Sequence, residues 1–209
     1  MKISFGRRHA TSTKPLALTD DGIRLGSRLR AAFEEPHRTI LFTGTRGQDG
    51  VSTTATQVAL ALAQMNEGEV LLVDAALRRP SLHRVFEIEP SPGLAEMLAG
   101  KATPESAIHV SEFSGLSVLA AGTSHLDAVT LLTSSAYHHF MEDVRRAFVF
   151  TVFDSAPVSH FAETALIAPR MDGVVVVAAA GQRTRSEIRE VSHVLEGLHV
   201  NVLGIALSQ

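Results

Sequence analysis

A strand with one wet face alternates apolar and polar residues, whereas a strand covered on both faces does not. This chain carries a series of short runs of the second kind. Residues 70–73 read Val-Leu-Leu-Val and residues 174–179 read Val-Val-Val-Val-Ala-Ala, with similar β-rich runs at 39–43, 116–120, 148–153 and 200–207. Helix-forming stretches separate them at 54–65, 93–99, 135–147, 161–168 and 185–196, the last placing Ile188, Val191 and Leu195 on one face. Such alternation specifies an α/β fold with a mostly parallel central sheet and helices on both faces. Ahead of it, residues 20–33 read as an amphipathic helix, with Ile23, Leu25, Leu29 and Phe33 set among Arg24, Arg28 and Arg30. Residues 1–19 lack periodicity and read as a flexible N-terminal arm, so a single domain over 20–209 is expected.

Composition narrows the functions open to such a fold. The 209 residues fit one domain, and the net charge of -3 supplies no global basic field for nucleic acid. Without any cysteine, thiolate zinc sites, disulfides and cysteine nucleophiles are excluded. Apolar runs of strand length fall far short of the ~20 residues a membrane helix needs, and the start Met1-Lys2-Ile3-Ser4-Phe5 has no signal-like apolar segment. Membrane contact is expected only through a partner.

The first strand run leads into Gly47-Gln48-Asp49-Gly50-Val51-Ser52-Thr53 and then into a helix. In that context a glycine-bearing loop can cradle phosphate, because glycine lets the backbone approach and helix N-terminal N–H groups face the anion. A hydroxyl at Ser52 or Thr53 could bind Mg²⁺. The bland alternative is a strand-to-helix turn with Ser52 as N-cap. Two acidic strand ends, Asp74 and Asp154, stand where open α/β sheets place ligand groups, although either alone suits a solvated turn.

The segment Val70-Leu71-Leu72-Val73-Asp74-Ala75-Ala76-Leu77-Arg78-Arg79-Pro80-Ser81-Leu82-His83 resembles the Walker A′ region of the bacterial tyrosine kinases of capsule and exopolysaccharide synthesis. The resemblance continues through Pro92-Gly93-Leu94, Ala121-Gly122, Phe153-Asp154-Ser155-Ala156-Pro157-Val158, Asp172-Gly173-Val174 and Leu203-Gly204. It implies a three-layer P-loop NTPase-like fold within the wider branch of septum-positioning and partitioning ATPases. It also implies ATP or ADP with Mg²⁺, nucleotide contacts from Gly47, Gly50, Val51, Ser52 and Thr53, and metal contacts from Ser52, Asp74 and Asp154. The implied partner is a membrane-embedded polysaccharide co-polymerase that sets chain length, with a homo-oligomer beside it, at the inner face of the cell membrane.

Against that pattern the chain shows several losses. Val51 replaces the phosphate-binding lysine, Ala76 the second aspartate of the Walker A′ pair, and Ser208 the asparagine that reads adenine. The family's tyrosine cluster is absent from this chain, whose one tyrosine is Tyr137. Its Glu-x-x-Arg-x-x-Arg oligomerisation helix is matched only by Asp21, Arg24, Ser27 and Arg28. A charge-assisted hydrogen bond contributes roughly 1.5–3 kcal/mol, so losing the lysine alone costs about 10- to 100-fold in affinity. The expectation is a degenerate, non-catalytic regulatory or scaffold domain, with nucleotide and Mg²⁺ bound weakly or not at all and Asp74 and Asp154 as its candidate catalytic residues. The alternatives are an active tyrosine autokinase whose substitute cation is Arg46, Arg78 or Arg79, or a positioning ATPase.

Other signals read as structure. His138-His139 and the His193, His199 pair lack helical ligand spacing. Ser155 and Ser159-His160 lack a nucleophile elbow. Arg183-Thr184-Arg185 reads as a solvated turn, or else as a contact to partner or phosphate.

Overall fold

The computed structural model describes residues 16–65 and 68–208. Its strands are β1 (Arg38–Gly44), β2 (Val70–Asp74), β3 (Ile108–Val110), β4 (Leu116–Leu119), β5 (Phe150–Asp154), β6 (Gly173–Ala179) and β7 (Val202–Ser208). They form a 7-stranded sheet in the order β3-β4-β2-β5-β1-β6-β7. Every pairing is parallel except that of β3 with β4. The expected strands are therefore present, each shifted by no more than a few residues. The antiparallel β3 was not foreseen, since so short a strand has no period to read.

The helices are α1 (Asp20–Ala31), α2 (Val51–Met65), α3 (Leu82–Val85), α4 (Leu94–Leu98), α5 (Pro104–Ala107), α6 (Ala128–Leu132), α7 (Ser135–Ala147), α8 (Ala162–Ile167) and α9 (Arg185–Gly197). Two apolar clusters show why the strands are continuously hydrophobic. Ile40, Phe42, Val152 and Val177 face one layer with Val58 and Leu62 of α2 and Leu29 of α1. Leu41, Phe153, Val174 and Val176 face the other, with Leu94 of α4, Phe140 and Val144 of α7, and Val191 and Leu195 of α9. This is the three-layer P-loop NTPase-like architecture that the sequence predicts.

Two boundaries differ in ways that matter. Helix α2 begins at Val51 rather than at 54, so Val51, Ser52 and Thr53 form its first turn and Ser52 is not its N-cap. Most of the N-terminal arm lies outside the described residues. Within them, Leu16 and Leu18 already pack against the second layer, and Thr19 caps α1 by accepting from the Gly22 N–H. Among the described residues no helix is long and apolar enough to cross a membrane.

Candidate functional site

Chain direction places the C-terminal ends of β1, β2 and β5 side by side, which is where a doubly covered parallel sheet opens a crevice. A cleft of about 590 Å³ lies there, lined by Arg46 to Thr53, Ala76, Arg79, Asp154 to Pro157, His160 and Phe161. The floor is the loop after β1. Gln48 and Gly50 adopt left-handed backbone conformations, with φ of 67° and 74°, and so turn the chain sharply into α2. The first helical turn leaves the N–H groups of Val51, Ser52 and Thr53 without intrahelical acceptors. The carbonyl of Gly50 closes the turn by accepting the Thr54 N–H at 2.9 Å.

Val51 is 9% exposed and belongs to the apolar layer beneath the loop. Its side chain presents only methyl groups where the family's lysine would carry an ammonium. Ser52 turns toward the acidic strand ends, and the Ser81 hydroxyl donates to its Oγ at 2.9 Å and reaches Asp154 Oδ2 at 3.4 Å. Thr53 is exposed and is not brought to the carboxylates. Of the two hydroxyls open to metal binding in the sequence, Ser52 is the one in place.

Asp74 and Asp154 are register partners on β2 and β5, 0% and 1% exposed. Their roles separate. Asp74 caps the turn into α3, accepting from the Ser81 and Leu82 N–H groups at 2.8 and 2.9 Å and from the Ala76 N–H at 3.2 Å. Burial still raises its carboxyl above the ordinary range despite those donors. Among the described residues the Asp154 carboxyl has hydroxyl partners alone, and burial followed by the neighbouring Asp74 charge pushes it up to about 7. Two adjacent buried carboxyls with a serine hydroxyl form a hard oxygen donor set of the kind Mg²⁺ takes. Ser52 and Asp154 would hold such an ion, Asp74 would act on it mainly through charge, and the ion would offset the repulsion between the carboxyls.

The candidate substitute cations are disposed unequally. Arg46 pairs with Glu187 at 2.8 Å, and Arg78 pairs with the buried Glu163. Arg79 lines the cleft and has no ion pair among the described residues. Arg183 is not the solvated turn residue that one sequence reading expects, since its side chain is 14% exposed and folds onto the loop. Its Nε donates to Asp49 Oδ1 at 2.5 Å and its Nη2 to the Gly47 carbonyl at 3.0 Å. Ser208 donates to the Asp49 carbonyl at 2.7 Å, so its hydroxyl braces the loop.

Tyr137 is fully buried, with the Arg170 guanidinium 5.6 Å above its ring, and burial drives its phenol well above the usual range. Ser159 bonds His160 at 2.8 Å, but the Ser155 hydroxyl donates to the Phe42 carbonyl at 2.9 Å and no triad assembles from these residues. Among the described residues, no group of three His, Asp or Glu side chains gathers for a metal.

No family model matches the chain. It is similar to the tyrosine-protein kinase YwqD of Bacillus subtilis, 27% identical over 178 residues, covering 85% of this chain and 75% of that protein. It is also similar to the succinoglycan biosynthesis transport protein ExoP of Rhizobium meliloti, 30% identical over 175 residues. That match covers 82% of this chain but only 22% of ExoP, so the chain spans less than a quarter of that relative. The kinase domain of Escherichia coli tyrosine kinase ETK superposes with a TM-score of 0.85 at 25% identity, covering 96% of this chain and 82% of that one. The resemblance to bacterial tyrosine kinases read from the sequence therefore holds, in fold and in relatives alike.

Proposed function

We propose that this chain is a degenerate tyrosine-kinase-like domain, acting without phosphoryl transfer as a regulatory or scaffold partner of a membrane polysaccharide co-polymerase in exopolysaccharide or capsule synthesis. The observation that carries the reading is Val51, an apolar side chain packed into the domain layer at the position of the phosphate lysine. Phosphoryl transfer relies on positioning and charge stabilisation, and removing the cation weakens both. Ala76 supplies no second carboxylate, and buried Tyr137 offers no accessible acceptor within this chain. The pathway is supported by the relatives' names, succinoglycan biosynthesis transport among them. The co-polymerase and the inner membrane face follow from the resemblance. Nucleotide with Mg²⁺, if held, would sit on the loop N–H groups, Ser52 and Asp154.

The test is genetic and biochemical together. A strain lacking the chain is complemented with wild type or Asp154→Asn, and exported polysaccharide, association with the co-polymerase and phosphotyrosine are measured. A scaffold predicts that both complement equally, associate with the membrane protein and leave no phosphotyrosine. A folded, associated Asp154→Asn protein that fails to restore export contradicts the reading.

A second reading, an active kinase with a substitute cation, is favoured by one observation, Arg79 on the cleft wall with no ion pair among the described residues. It predicts phosphotyrosine formation that Arg79→Ala abolishes.

A further inference from the structure

Asp49 is a carboxylate placed inside the phosphate loop itself, 1% exposed. Its Oδ2 accepts the Thr45 N–H, the Thr45 hydroxyl and the Arg46 N–H, each at 2.7 Å. Its Oδ1 accepts from Arg183, a residue 134 positions away that is itself only 14% exposed at the side chain. Two further ties run between the same loops. Arg183 also reaches the Gly47 carbonyl, and Arg46 binds Glu187, the residue that closes the capping box of α9 through Thr184. The start of the loop, at Thr45 and Arg46, is thus organised from within by a negative charge, while the N–H groups of Val51, Ser52 and Thr53 stay turned to the cleft.

We propose that Asp49 and Arg183 form an internal latch: the ion pair positions the phosphate loop permanently and couples it to the β6–α9 connection whether or not nucleotide is present. The proposal rests on the reading of this cleft as a phosphate loop that has lost its chemistry. It goes further by making the face formed by residues 44–54 and 180–188 constitutive, where a nucleotide switch would need it to reorder. A buried carboxylate left without its partner is costly, so the two residues act as a unit.

Hydrogen exchange read by mass spectrometry on the full chain tests this, with and without saturating Mg·ADP. Wild type should show the same protection in 44–54 and 180–188 in both conditions. Asp49→Ala should exchange about tenfold faster or more in both segments, while 70–74 and 150–154 stay protected as the folding control. Should Asp49→Ala fail to fold, Arg183→Gln supplies the same contrast from the outer side, and Arg183→Lys should restore part of the protection. A wild-type loop that becomes protected only when Mg·ADP is added overturns the proposal, as does a loop indifferent to both Asp49 and Arg183. ATP turnover accompanied by ligand-independent protection would sink the non-catalytic reading and leave the latch standing.

Discussion

Asp74 and Asp154 are buried register partners on neighbouring parallel strands, one holding backbone N–H groups and the other, among the described residues, serine hydroxyls. That asymmetry gives the two carboxyls different roles. Asp74 is the structural cap, so replacing it tests folding of the turn into α3 as much as chemistry. Asp154 is the cleaner probe of the site.

The pH dependence of stability follows from Asp154. Its carboxyl is pushed up to about 7 in the folded chain, against about 3.9 for an exposed aspartate. Between those values the native state binds more protons than the unfolded one, so stability is greatest at the acid end and falls as pH rises toward 7. The loss from this group is of order 4 kcal/mol at most. Urea unfolding at pH 5.5 and pH 8 should show a drop in wild type that Asp154→Asn largely removes. Equal drops in both proteins would contradict the assignment.

Tyr137 carries a buried hydroxyl with no hydrogen-bond partner among the described residues. Tyr137→Phe should leave thermal stability unchanged or raise it by up to about 1 kcal/mol. An active tyrosine kinase added in trans should leave no phosphate on the folded chain. A clear loss of stability in Tyr137→Phe would reveal a partner for the hydroxyl.

Helix α1 lies close on α2 because Gly26 has no side chain. A Cβ built there stands 2.7 Å from the Ala61 Cβ. Gly26→Val should therefore destabilise by about 1–3 kcal/mol through overpacking and separate the two helices. Denaturant titration with exchange mapping of residues 20–31 checks both parts.

The sheet was legible because strands buried on both faces must be apolar throughout, and runs such as 174–179 leave little else to choose. Short helices such as α3 and α6 were not, since one turn shows no period. Val51, Ser52, Asp74 and Asp154 were found from strand-end position and resemblance. Arg183 escaped because its partner, Asp49, is 134 residues distant, and a long-range ion pair leaves no local pattern. The same limit hid the difference among Arg46, Arg78 and Arg79, which only the positions of Glu187 and Glu163 reveal.

The central claim is that the phosphate loop keeps its shape without its chemistry. Calorimetric titration with Mg·ATP, paired with phosphate release, compares wild type with Val51→Lys. Wild type should bind weakly and release nothing, and Val51→Lys should bind about 10- to 100-fold tighter. Micromolar binding by wild type, with turnover that disappears in Asp154→Asn, would show that the chain has kept the chemistry and contradict the account.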